Sequence, residues 1–313
     1  MIHIFDPGPF ATVQDLGRYG YQDRGVPVSG AMDPYSLRVG NVLVGNDQEA
    51  AAIEITWGGF EAEFEEDGQF CLTGASAPAW LNGSAISFWN VQSARRGDRI
   101  RVDGATVGSR IYCCIAGGID VPVVMGSRST YIRAGFGGFE GRTLQRGDRL
   151  PCGTPLYRPL RSIDPEWVPT WREKTVVRCV LGPQSDAFTE EAIEVFCSSE
   201  YVVTSRSDRM GIALEGPPLV HRSGPDILSD GIVTGAVQVP GDGRPIVLMA
   251  DRQTTGGYTK IATVIRSDIS RMAQVLPGYR VRFEAVDPLE ARWMVFKEEY
   301  RFRRWVESVR PKR

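Results

Sequence analysis

One stretch gathers more reactive side chains than any other: TGAVQVPGDGRPIVLMADRQTTGGYTKIATV, residues 234–264. Gln238 lies in an apolar strand pattern, AVQVP, where a buried amide must find partners or meet a polar ligand. Such an amide can pair edge-on with a urea-type or lactam-type group. Asp251, Gln253, Thr254 and Thr255 crowd the next polar segment, and Gly256, Gly257 and Lys260 follow. The two glycines allow positive φ and a close approach of backbone N–H groups, which suits an oxyanion or a phosphate. The run lacks the GxxxxGK[ST] pattern, so it is no P-loop. A plain alternative is a β-hairpin whose threonines cap the turn, and spacing alone leaves the two readings balanced.

Three further stretches carry charge in irregular settings. In TVQDLGRYGYQDRGVPVSGAMD (12–33), glycines interleave with Gln14, Asp15, Arg18, Asp23, Arg24 and Ser29. This reads as a long loop, slightly better explained by Asx-type turns and an Arg–Asp contact than by a site. In SSEYVVTSRSDRMGIALEGPPL (198–219), Arg206 or Arg209 can hold a carboxylate or phosphate, and a solvated turn is at least as good a reading. In AGGIDVPVVMGSRSTYIRAGFGGFEGR (116–142), Arg128 and Arg133 sit among seven glycines, as in a flap or a partner-binding surface.

Composition narrows the chemistry. The chain has two histidines, His3 and His221, so a His-based triad is possible only around His221, in a segment that reads as exposed loop. Six scattered cysteines without a CxxC read as small apolar core residues, and no metal-ligand cluster is expected. A net charge of −2 gives no electrostatic case for nucleic acid. Neither a signal peptide nor a membrane span is read, so the cytoplasm is expected.

Many short apolar runs punctuated by Gly and Pro must position these groups. AAIEITWG (51–58), RIYCCIAGG (110–118), TVVRCVLG (175–182) and YRVRFEA (279–285) read as strands. Helices are few. Asp33 caps a helix that Pro34 begins and Gly45-Asn46 ends. Ser185 or Asp186 caps a second over 185–196, and Ser267 or Asp268 a third that ends at Pro277-Gly278. Leu289, Trp293, Phe296 and Tyr300 recur at helical spacing in the tail, whose last fourteen residues carry six basic side chains and read as a solvated, frayed end. The fold expected is mainly β, with barrels or sandwiches and a few short helices. A boundary falls near 157–174, giving domains 1–160 and 175–287 and a basic helical tail 288–313. Echoes such as ARRGDRIRV and LQRGDRLPC point to two similar halves.

Across residues 2–287 the string TVQDLGRYGYQDRGVPVSGAMD, NVLVGND, AIEITWGG, LTGA, AGGIDVPVVMGSRST, GGFEGR, LQRGDRLP, GPQSDAF, SDRMGIALEG and GAVQVPGDGRPIVLMADRQTTGGYTKIATVI resembles the biotin-dependent carboxyltransferase-like family, also called allophanate hydrolase subunit 2. Its nearest likeness is to the branch that serves 5-oxoprolinases. The resemblance implies cyclophilin-like β-barrels, two of them. It also implies an allophanate hydrolase subunit 1-like sister chain, the B subunit of 5-oxoprolinases, and a third chain, their A subunit. It implies ATP-dependent opening of 5-oxo-L-proline to L-glutamate, with ATP and Mg2+ shared across the complex. Carried onto this sequence, it implies catalytic roles for Gln238 and Asp251. Gln253, Thr254, Thr255, Gly256, Gly257 and Arg209 would bind substrate, and Lys260 and Arg128 would bind phosphate. Urea-carboxylase relatives carry an Asn at the Gln238 position, a departure that fits a different substrate. No AMKM-type biotinyl-lysine segment occurs, so any biotin would come on another chain.

Two other functions stay open at this stage. One is carboxyl transfer from biotin to urea or another amide. The other is non-catalytic: binding and antagonising the sister chain, in keeping with the lack of a complete catalytic set here. Prolyl isomerisation, suggested only by the barrel type, has no motif behind it.

Overall fold

The computed structural model describes residues 1–155 and 162–309. Part of the boundary segment 157–174 and the last four residues of the basic tail lie outside the described residues. The chain divides into two compact units, Met1–Gly20 with Val28–Trp171, and Tyr21–Pro27 with Arg172–Arg313. The piece Tyr21–Pro27, from the middle of the loop 12–33, groups with the second unit. One contact behind this is the Gln22 amide, which donates to the Ile232 carbonyl at 3.4 Å.

In the first unit, six strands pair in the order Arg149–Leu150, Ile2–Asp6, Phe60–Phe64, Arg99–Val102, Ala79–Leu81 and Ser84–Ala85. Five more pair in the order Phe10–Gln14, Ala52–Thr56, Val107–Ile115, Gly68–Ser76 and Val91–Ala94. Alternation explains the half-buried strands. Phe60, Ala62 and Phe64 enter the core, while Glu61 and Glu63 face Arg99 at the surface. The central strand Val107–Ile115 is buried along nearly its whole length. Helix Pro34–Leu43 lies against it, so both of its faces are covered. A Cβ at Gly40 would stand 2.6 Å from the Cys114 sulfur, which is why a glycine sits there. As expected, Asp33 caps this helix, accepting from Ser36 N at 3.0 Å.

The second unit closes into a barrel of seven strands: Lys174–Leu181, Lys260–Val264, Ala236–Gln238, Ile246–Leu248, Gly211–Glu215, Glu200–Val203 and Arg280–Ala285. Parallel pairing of the first with the last shuts it. In the strand read over 279–285, Val281 and Phe283 are buried and Arg280 and Arg282 exposed, the alternation of a half-buried strand. Phe283 stacks on Phe196 of helix Glu190–Ser198 at 4.4 Å. The two expected barrels thus meet one closed barrel and, in the first unit, two sheets, among the described residues.

The helices differ from the sequence reading in several respects, and the third ends at Ala273 rather than at Pro277-Gly278. The second helix begins at Glu190 with Thr189 as its cap, because Ser185–Ala187 forms a separate 3-10 turn. Asp268 makes no side-chain cap. Its buried carboxylate instead takes the Arg178 backbone N–H and guanidinium at 2.5–2.8 Å. The tail helix, Pro288–Val309, is docked rather than solvated: Ala291, Phe302 and Trp305 are buried, and Arg178 reaches Met294. Of the basic side chains that suggested a frayed end, Arg301, Arg303 and Arg304 lie among the described residues and are exposed.

Candidate functional site

The segment 247–264 is not a hairpin. Strands Ile246–Leu248 and Lys260–Val264 do not pair with each other. Both pair with Ala236–Gln238, which lies between them in the barrel. The intervening TGGY forms its own strand, Thr255–Tyr258, pairing with Asp226–Gly231 in a two-stranded ribbon. The polar row therefore crosses over the end of the strand that carries Gln238.

Gln238 is 3% exposed. Its Oε1 accepts from Gln253 Nε2 at 3.1 Å, and its own Nε2 is buried with no partner among the described residues. One polar atom of the amide is satisfied and the other is not, at the free-energy cost of an unmade buried hydrogen bond. A Cβ at Gly256 would stand 2.6 Å from that Nε2. A side chain at this position would have to displace the Gln238 amide. Neither Gly256 nor Gly257 has the positive φ that the sequence reading allowed them. Gly257 has ordinary room, with Ile227 O and Ser229 Oγ 3.5 and 3.6 Å from a built Cβ.

Lys260 is the register partner of Gln238, beside an irregularity between Val237 and Gln238. Bulges of this kind re-aim side chains near sites. Lys260 is 2% exposed, and its Nζ lies 3.2 Å from Asp230 Oδ2. The Lys260 ammonium is the main cause of a lowered Asp230 pKa, with the Gly231 N–H next and the Gln184 side chain adding to it. Gln184 also clasps the Lys260 backbone, donating from its N to Lys260 O at 3.1 Å and accepting Lys260 N on its Oε1 at 3.2 Å. The sequence reading missed both Asp230 and Gln184. A glutamine within GPQSDAF was a signal for one; nothing local marks Asp230.

Asp251 and Arg209 find each other. The guanidinium holds both carboxylate oxygens at 2.8 and 3.0 Å, and Asp251 N donates to Arg209 O at 2.9 Å. Their side chains are 8% and 6% exposed. The sequence reading gave Asp251 a catalytic role and Arg209 a substrate-binding one; in the structure each carries the other as its partner at the crossover. Thr254 O accepts from Ile232 N, and exposed Thr255 opens the ribbon. His221 is half-buried rather than exposed, with Nε2 3.0 Å from Thr259 Oγ1 and its ring against Phe188.

Arg128 belongs to the first unit, where its guanidinium pairs with Asp120 at 2.7 Å and donates to Val121 O. Its backbone N–H joins Ser127 Oγ, Ser129 Oγ and Gly17 N on the buried Asp15 carboxylate, at 2.5–2.7 Å. The Asx-type turn is present as expected. Arg18, in the same loop, is 1% exposed, donates to Ser129 O and lies over the Phe136 ring. Among the described residues, no group of three or more His, Cys, Asp or Glu is placed to hold a metal ion.

The family model "Carboxyltransferase domain, subdomain A and B" matches residues 24–285. This chain belongs to that carboxyltransferase-domain family. Its relatives include the 5-oxoprolinase C subunit of Escherichia coli (strain K12), 42% identical over 284 residues that cover 90% of each chain. The protein of the same name from Haemophilus influenzae is 40% identical over 301 residues, 96% of each. Among solved structures, the Kluyveromyces lactis urea carboxylase superposes with a TM-score of 0.92 at 30% identity, over 99% of this chain and 29% of that one. As a carboxyltransferase domain the chain sets Gln238, Gln253, Gly256 and Lys260 at one end of its barrel strand Ala236–Gln238.

Proposed function

We propose that this chain is one subunit of an ATP-dependent 5-oxoprolinase that opens 5-oxo-L-proline to L-glutamate in the cytoplasm. It would work with an allophanate hydrolase subunit 1-like sister chain and a third chain. The observation that carries this reading is the buried Gln238 amide, half satisfied by Gln253 and packed closely against Gly256. A lactam presents N–H and C=O on one edge of a planar ring. A glutamine amide presents the complementary pair. The 40–42% identity to 5-oxoprolinase C subunits supports the same substrate class.

A lactam resists water because of amide resonance. Transfer of a phosphoryl group from ATP to the carbonyl oxygen creates a leaving group and a more electrophilic carbon. Water then adds, and the C–N bond breaks, releasing the nitrogen as the amine of glutamate and leaving an acyl phosphate that a second water hydrolyses to the carboxylate and inorganic phosphate. This chain's part is to bind and orient. Gln238 holds the ring edge, and Gln253 fixes the Gln238 amide. Lys260 exchanges Asp230 for a phosphoryl oxygen as negative charge accumulates. Magnesium enters with the nucleotide.

A second reading is carboxyl transfer to urea or another amide, with biotin on a separate chain. The match of 99% of this chain to the K. lactis urea carboxylase favours it. One experiment separates the two. The chain is mixed with its sister chain, the third chain, 5-oxoproline and ATP, and glutamate and ADP are measured. Turnover supports the lactam-opening role. No turnover, with biotin-dependent carboxylation of an amide instead, assigns the transferase role.

A further inference from the structure

The helix Pro288–Val309 has two apolar faces. Its inner face buries Ala291, Phe302 and Trp305. Its outer face carries Leu289, Trp293, Phe296 and Tyr300, which are 76, 64, 58 and 55% exposed. Trp293 stacks on Phe296 at 5.6 Å, and Phe296 on Tyr300 at 6.3 Å. Their alternating spacings of four and three residues are those of a coiled-coil seam. Contiguous exposed apolar rows of this kind mark interaction surfaces.

We propose that this row is the seam of an antiparallel helix pair formed with a second copy of the chain. Charge decides both the partner and the direction. Glu290 and Lys297 flank the seam on one side, Arg292 and Glu299 on the other. In an antiparallel pair, each flank faces the same flank of the other helix. Setting Leu289 against the partner's Tyr300 brings Trp293 against the partner's Phe296. That register lays Glu290 beside the partner's Lys297, and Arg292 beside the partner's Glu299. Twofold symmetry repeats every contact, so the patch is complementary to itself, as an isologous interface requires. A parallel pair would set Arg292 against the partner's Lys297, cation against cation. Glu299 also pairs with Arg303 on its own helix at 3.3 Å and stays within reach of the outer face.

A single helix pair is a small interface, so a dissociation constant on the order of micromolar is expected. Sedimentation equilibrium of the full chain from about 1 to 100 μM tests it over that range. The expected result is a reversible monomer–dimer equilibrium. Trp293→Glu and Phe296→Glu weaken it by about 30-fold or more, with an unchanged thermal melt of the monomer. Glu290→Lys weakens it about threefold to tenfold, and adding Lys297→Glu to that variant restores it. A chain that stays monomeric at about 100 μM, or a dimer indifferent to Trp293→Glu, overturns the proposal. A double charge reversal that fails to restore pairing overturns the antiparallel register.

Discussion

Arg209 grips Asp251 with two hydrogen bonds, 2.8 and 3.0 Å long, and both side chains are almost wholly buried. Removing either partner strands a charge away from water. Asp251→Ala is expected to destabilise the second unit by about 3–5 kcal/mol, read as a lowered midpoint in urea unfolding. Asp251→Asn keeps the shape and one acceptor and costs less. Should Asp251→Ala retain full stability while turnover of the assembled complex collapses, Asp251 would return to direct chemistry.

The Gln238–Gly256 contact predicts a separation of activity from stability. Gly256→Ala has no backbone penalty, since the residue is in an extended strand without positive φ. A smaller unfolded-state entropy even favours it by about 0.4–1 kcal/mol. Yet its methyl group would stand 2.6 Å from Gln238 Nε2 and push the amide aside. The expected outcome is a near-normal melt with a KM for 5-oxoproline raised about tenfold or more, matching Gln238→Ala. An unchanged KM in both variants would remove the amide from the substrate site.

Asp230 carries the pH prediction. Lys260 holds its carboxyl below the ordinary range. The stability that this contact lends is therefore fully present above about pH 4, the unfolded carboxylate pKa, and is lost as pH falls through the lowered folded value. An NMR titration of the Asp230 carboxyl should show a midpoint below that of a free aspartate. In Lys260→Met the midpoint should return to the ordinary range. A midpoint that stays low in Lys260→Met would shift the cause to the Gly231 N–H.

The cysteines are expected to be silent in the native protein. Burial pushes the Cys113 and Cys179 thiols up to about 12 and Cys152 to about 11. Thiolate is the reactive form, so a disulfide reagent at pH 8 should label the folded chain slowly and all six cysteines once it is unfolded. Because these folded values lie above those of an unfolded thiol, their contribution to stability is intact below about pH 8.5 and erodes as pH rises further. Rapid native labelling of Cys113 would contradict its burial.

Much of the scaffold was legible because it rests on local rules. Alternating runs made strands, Asp33 and Pro34 opened a helix, and Val281 and Phe283 faced inward as their period of two requires. Helix ends were less legible. Asp268 looks like a cap in sequence, but the Arg178 side chain outcompetes the helix for it.

For the candidate site, residue types drew attention to the stretch 234–264, and the family resemblance gave Gln238, Gln253, Gly256 and Lys260 their expected roles. Only the tertiary structure decided what they do together. Strand order set the two flanks of 247–264 on either side of Ala236–Gln238, turning a hairpin-like run into a crossover. Pairing of Gly211–Glu215 with Ile246–Leu248 brought Arg209 to Asp251, and the ribbon holding Asp226–Gly231 brought Asp230 to Lys260, partners 42 and 30 residues apart. Side-chain pairing over such separations depends on register and burial, which local spacing does not encode. A buried charge takes whichever counter-charge the fold delivers.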